Sequence, residues 1–143
     1  MKKFVKFFIL FVLLQTLCAC DKMEDNGDFA GLWQLTEWKH LPDGAIVKDK
    51  NNRIFYSVQL DVMQVKGDTI GLNANSRLIS RFRRTADTLY IGTVFYGIKD
   101  SIVDIDNLAP LGVPADGKFA IDRLNKHAMV LRTDEAVLTF RKY

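Results

Sequence analysis

Few side chains in this chain can do chemistry, and their spacing decides which chemistry is open to them. Its two cysteines, Cys18 and Cys20, stand near the amino terminus, and its two histidines, His40 and His127, lie far apart, each beside a lysine (Lys39, Lys126). A metal centre needs His, Cys or carboxylate ligands at recurrent spacings, and none is present. There is also no Gly-x-Ser-x-Gly elbow, no phosphate loop and no Glu-rich pair, and the acids are mostly Asp at turns. No catalytic residue is therefore assigned, no cofactor is expected, and the expected protein is not an enzyme. The arginines do form a pattern. Arg77, Arg81 and Arg83 alternate along one strand face, with Arg84 following, so their guanidinium groups either grip a carboxylate or phosphate or form a solvated outer face. Leu78 and Phe82, on the opposite parity, take the core side. Arg81, Tyr56 and Tyr90 are the candidate ligand contacts.

The elements that must position these residues begin with the export address. Lys2, Lys3 and Lys6 form a charged start, Phe7 to Leu14 is an unbroken apolar run, and Leu17-Cys18-Ala19-Cys20 follows. Eight helical residues cover about 12 Å of a hydrocarbon layer roughly 30 Å thick, too little to span it. The Leu-x-Ala-Cys end resembles a bacterial lipobox. The resemblance implies that Cys20 is lipidated and becomes the first residue after cleavage. Residues 1–19 are then a cleaved lipoprotein signal peptide, and no cysteine remains for a disulfide, metal site or nucleophile. Two or more acyl chains give lasting attachment to a membrane.

Residues 20–28 read as a lipidated, acidic tether, since Asp21 to Asp28 is polar and aperiodic. Acidic residues just after the cysteine resemble a surface-export signal of some Gram-negative anaerobes, whereas enterobacterial sorting reads Asp21 as inner-membrane retention. The expected location is the outer membrane, facing the periplasm or the exterior. The net charge of +3 comes wholly from the three amino-terminal lysines, because beyond them 17 basic residues face 17 acidic ones. That balance gives no footprint for nucleic acid. With 48% hydrophobic and 26% charged residues, the chain of 143 has the composition of one globular domain and not of a disordered segment.

From Phe29 onward short alternating segments predict an all-β domain over residues 29–143. Ile54, Tyr56, Val58, Leu60 and Val62 predict one strand with an apolar face. Further strands are predicted at Leu32–Lys39, Arg77–Arg83, Leu89–Phe95, Lys118–Leu124, Ala128–Arg132 and Val137–Tyr143, with short pieces near Ala45–Val47 and Thr69–Leu72. Lys66-Gly67-Asp68, Thr85-Ala86-Asp87, Asn125-Lys126-His127 and Thr133-Asp134-Glu135 read as tight hairpin links. Gly97 to Gly117 is the one long connection, with a helical turn expected within Asp104–Leu111. Consecutive hairpins leave two sheet edges, and closing an antiparallel up-and-down barrel of about eight strands removes both; a β-sandwich is the alternative.

Phe29-Ala30-Gly31-Leu32-Trp33-Gln34-Leu35 resembles the Gly-x-Trp opening of the lipocalin and wider calycin barrels. Leu138-Thr139-Phe140-Arg141-Lys142-Tyr143 resembles their last strand. The resemblance implies a barrel floor closed by Gly31, Trp33 and Arg141, with Trp33 and Arg141 stacked as a cation–π pair. It also implies a small apolar or amphipathic ligand. With the lipobox, the whole chain resembles the small lipocalin-like lipoproteins of Gram-negative anaerobes.

Two further features remain. The loop Tyr96 to Pro114 interleaves Ile98, Ile102, Val103, Ile105 and Leu108 with acids, so it serves as a lid, as a surface docking another envelope protein, or as a plug over one barrel end. Asp68-Thr69-Ile70, Asp87-Thr88-Leu89 and Asp100-Ser101-Ile102 resemble an O-glycosylation acceptor, which makes Thr69, Thr88 and Ser101 candidates. An Asp turn feeding a β-branched strand start writes the same letters. The runner-up to a ligand carrier is a filled barrel acting as an accessory or inhibitor module.

Overall fold

The computed structural model describes residues 26–51, 53–67, 77–97 and 101–143. A single 3-10 turn, Gly27–Phe29, leads into β1 (Gly31–His40), β2 (Ile46–Lys48), β3 (Phe55–Gln59), β4 (Val62–Lys66), β5 (Leu78–Arg84), β6 (Thr88–Ile91) and β7 (Phe95–Tyr96). A short helix α1 (Ile105–Leu108) and a 3-10 turn (Ala109–Leu111) precede β8 (Lys118–Leu124), β9 (Ala128–Arg132) and β10 (Ala136–Lys142). The sheet runs β10-β9-β8-β6-β5-β4-β3-β1, and pairing of β10 with β1 closes it into an antiparallel barrel of eight strands. β2 flanks the far half of β1, and β7 pairs with β5.

Antiparallel order gives the barrel two distinct ends. The 3-10 turn before β1 lies at the same end as turns 60–61, 85–87 and 125–127. Residues 41–45, 67, 77, 92–97, 101–117 and 133–135 lie at the other. The tight links obtain their caps from their own side chains. Asn125 Oδ1 accepts the backbone N–H groups of His127 and Ala128 at 2.9 Å, and Thr133 Oγ1 accepts that of Ala136 at 3.0 Å.

A bulge between Leu35 and Glu37 shapes the barrel wall: Leu35 faces Phe140 and Glu37 faces Thr139, leaving Thr36 extra. The added residue switches side-chain parity, so Trp33 and Leu35 point inward below it and Trp38, opposite Leu138, points inward above it. β1 also bends there, pairing with β3 on one side of the bulge and β2 on the other.

The expected strand through Ile54 to Val62 is instead a hairpin. Its turn is Leu60-Asp61, with Leu60 at φ 53° and 43% exposed. Tyr56 and Val58 fill the core from β3, but Met63 and Val65 fill it from β4, so the inward parity passes from even to odd residues at the turn. β4 ends at Lys66 and pairs with β5, which starts at Leu78; the expected Lys66-Gly67-Asp68 link runs out of the described residues at Asp68. The expected Thr69–Leu72 strand lies outside the described residues. Leu89–Phe95 divides into β6 and β7, with Gly92 kept against β5 by donating its N–H to the Arg81 carbonyl at 2.9 Å.

Candidate functional site

The two ends of the barrel are closed differently, and both bear on function. At the closed end Phe29 and Trp33 are fully buried, the Trp33 indole N–H donates to the Phe29 carbonyl at 2.8 Å, and Phe29 meets Phe82 edge to face at 5.3 Å. The cation over Trp33 is Lys142, its Nζ 4.8 Å from the ring centroid, and not Arg141 as expected. Leu138, Phe140 and Lys142 share the inward parity of β10, so Arg141 points outward and donates from Nε to Gln34 Oε1 at 2.8 Å. Lys142 also donates to the Asp28 carbonyl at 2.8 Å. Gly31 accommodates that crossing: a Cβ there would stand 2.9 Å from Lys142 Cε, at φ 119°.

The opposite end, the mouth, is plugged by the long connection. Val103, Leu108, Leu111 and Val113 are buried in the core, and the Tyr56 hydroxyl donates to the Leu111 carbonyl at 2.8 Å. Burial pushes the Tyr56 phenol far above its ordinary pKa, so it remains a donor at any physiological pH. Gly112, at φ 84°, fits beneath Leu138, Tyr56 and Trp38, whose nearest atoms would lie 2.7, 3.3 and 3.5 Å from a Cβ. Val103, Leu108, Leu111 and Val113 thus plug this end, while Ile102 stays exposed. The Trp38 ring packs against the core, and its N–H is sealed from solvent with no acceptor among the described residues. The Tyr56 hydroxyl and the benzo-ring edge of Trp38 thus both meet Gly112 of the plug.

A groove of about 640 Å³ opens at the closed end, lined by Asn26, Asp61, Phe82, Arg83, Arg84, Thr85 and Tyr90. Tyr90 lies on the outer face at 38% exposure, with Arg83 5.9 Å above its ring, and Arg84 lies 5.4 Å over Phe29. Arg81 is exposed and ion-paired with Asp61. The candidate contacts Tyr56, Arg81 and Tyr90 therefore do not form one site: Tyr56 lies inside at the mouth, and the other two lie outside.

The remaining candidates are dispersed. Thr88 Oγ1 donates to Asp87 at 3.0 Å, and that bond, after the stronger one from Thr85, holds the Asp87 carboxyl below its usual range. Ser101 is exposed in the loop, its carbonyl accepting the Tyr96 N–H at 2.9 Å. Cys20 and Thr69 lie outside the described residues. Among the described residues no group of three or more His, Cys, Asp or Glu side chains could hold a metal ion. His40 stacks on Trp38 with centroids 6.1 Å apart, and His127 is exposed.

Sequence reasoning missed Lys142 and gave Trp38 no place at the mouth, although it put Phe82 on the core side and Arg84 in the arginine row. Parity from Phe140 would have found Lys142, whereas Trp38 depends on a bulge that no residue pattern marks.

A family model described as a lipocalin-like domain matches residues 15–143. No curated protein matches the chain. The fold is similar to a lipocalin-like protein from Bacteroides uniformis, with TM-score 0.62 and 23% identity over 82% of this chain and 100% of that one. It is also similar to an uncharacterized protein from Bacteroides eggerthii, with TM-score 0.57 and 20% identity over 80% of this chain and 99% of that one. A protein from Burkholderia xenovorans has TM-score 0.51 at 15% identity, over 79% of this chain and 81% of that one.

Proposed function

The chain belongs to the lipocalin-like domain family, and on that premise we propose that it is a non-catalytic binding protein of the cell envelope, held at the outer membrane by lipid on Cys20, that takes a small amphipathic ligand at the barrel mouth. Lipocalin-like barrels commonly bind small hydrophobic ligands. The observation that carries the reading is the Trp38 N–H, sealed from solvent with no acceptor among the described residues, on a ring that meets the plug at Gly112 as the Tyr56 hydroxyl does. A buried donor left unmade costs about 1 to 3 kcal/mol. A ligand bearing an acceptor recovers that loss at Trp38 and replaces the Leu111 carbonyl at Tyr56.

Among the described residues the interior is filled by side chains, so the ligand's apolar part must take the place of Leu111 and its neighbours. Exposing a buried Leu or Val costs about 1.5 to 3 kcal/mol, which a chain of several methylenes at about 0.8 kcal/mol each offsets. Dodecanoate, with a carboxylate acceptor and a long apolar chain, is a suitable probe. It is expected to bind Leu111→Ala more tightly than wild type and Trp38→Phe more weakly. No binding to either wild type or Leu111→Ala would sink the reading.

The filled interior also favours a second reading, a module that docks another envelope protein. Phe95 and Ile102 bridge each other in the loop while remaining 39% and 67% exposed. Ile102→Asp abolishes association with an envelope partner on this reading and leaves dodecanoate binding unchanged on the first.

A further inference from the structure

The closed end holds cations that the mouth does not use. Arg81 is neutralised by Asp61. Arg83 and Arg84 line the groove, and neither guanidinium has an ion pair or hydrogen bond among the described residues; each lies against an aromatic ring instead, Tyr90 and Phe29. A guanidinium held by a ring keeps all its N–H donors and sheds part of its hydration, the condition for gripping an oxyanion.

We propose that this groove binds a phosphate group, with Arg83 and Arg84 as its two forks, and that the phosphate belongs to an anionic lipid headgroup of the membrane. A carboxylate is satisfied by one bidentate fork, whereas a phosphate carries three strong acceptor oxygens and close to two charges, which fits two forks lining one groove. Phe82 and Tyr90 add apolar surface beside the cations, suited to the glycerol and first methylenes of a lipid. The assignment to a lipid rests on the proposed anchor. Asn26 lines the groove, and six extended residues span about 20 Å, so acylation of Cys20 keeps the groove close to the membrane surface. The phosphate site itself needs neither the anchor nor the mouth.

The test uses the full chain as purified from membranes, reconstituted in phosphatidylcholine nanodiscs and titrated with dihexanoyl phosphatidic acid below its micelle concentration. The expected result is saturable binding that Arg83→Gln and Arg84→Gln each weaken at least tenfold. Arg83→Lys should retain part of the affinity, and Arg81→Gln should change it less than threefold, because that cation is already committed to Asp61. Neutral dihexanoylglycerol should not bind measurably at the same concentration. Inorganic phosphate binding as tightly as phosphatidic acid would support the phosphate site and make a free anion its source. Equal binding of dihexanoylglycerol, no binding of either phosphate compound, or undiminished binding to the Arg83→Gln/Arg84→Gln double variant with its near-ultraviolet circular dichroism intact, would overturn the inference. None of these results touches the mouth reading, which is read with dodecanoate at Trp38 and Tyr56.

Discussion

The two ends of one barrel are sealed by different physics. At the closed end the sealing groups are strand residues and their immediate neighbours: Phe29 two residues before β1, Trp33 on β1 and Lys142 on β10, held by hydrogen bonds to the carbonyls of Phe29 and Asp28. At the mouth the sealing groups come from a connection lying between β7 and β8, and the hydrogen bond joining its buried tip to the wall runs from Tyr56 to Leu111. The Trp33 indole at the closed end has its acceptor, while the Trp38 N–H at the mouth has none among the described residues. An end built from the barrel's own strands can open only when the barrel unfolds. An end closed by a connection can open while the strands remain paired, which is the property a binding site requires.

Substitution at each end separates these behaviours. Trp33→Ala removes a fully buried aromatic from the floor and should lower global stability by about 3 to 5 kcal/mol in chemical denaturation, with Trp33→Phe costing less. Gly112→Ala forces a Cβ into Leu138 at a left-handed backbone position and should cost about 1 to 3 kcal/mol. Its signature is faster hydrogen exchange over residues 105–113 with the β1 amides unchanged; a uniform loss across the barrel would make the mouth as integral as the floor. Tyr56→Phe leaves the buried Leu111 carbonyl without its donor and should cost about 1 to 2 kcal/mol, again felt mostly in the plug. Lys142→Met removes a cation from the Trp33 face and should cost about 1 kcal/mol, more than Arg141→Met on the outer face.

The smallest effect is expected at the 85–87 turn of the closed end. Asp87 has a folded pKa below its unfolded value because Thr85 and Thr88 donate to its carboxylate. Its contribution is therefore complete above the ordinary Asp range near pH 4 and lost as pH falls through the lower folded value. Asp87→Asn should remove that part of the acid dependence, measured by thermal unfolding between pH 5 and pH 2, and leave the mouth unaffected.

The sequence was most legible where local chemistry and period agree. The hairpins at 85–87, 125–127 and 133–135 follow from Thr and Asn side chains that cap their own turns, and the helical turn before Gly112 follows from the left-handed residue that ends it. Legibility failed where one residue changes parity. Ile54 to Val62 alternates without a break, yet the chain reverses at Leu60-Asp61, a turn with neither Gly nor Asn to announce it. The extra residue at Thr36 turns Trp38 inward, and the count from Phe140 puts Lys142 rather than Arg141 over Trp33. The mouth was harder to read than the floor because its contacts join residues far apart in sequence, such as Tyr56 and Leu111, whose pairing no local pattern encodes.

On the proposed function the mouth opens for an amphipathic ligand while the floor stays shut. Hydrogen exchange of the full chain, with and without dodecanoate below its micelle concentration, tests it most directly. The Gly112 and Val113 amides, which donate to Ala109 and Leu108 in the plug, should lose protection at least tenfold on binding, while the amides of Trp33 and Leu35 keep theirs. Saturable binding with the plug amides unchanged, or with protection altered only around Phe29 and Trp33, would contradict it.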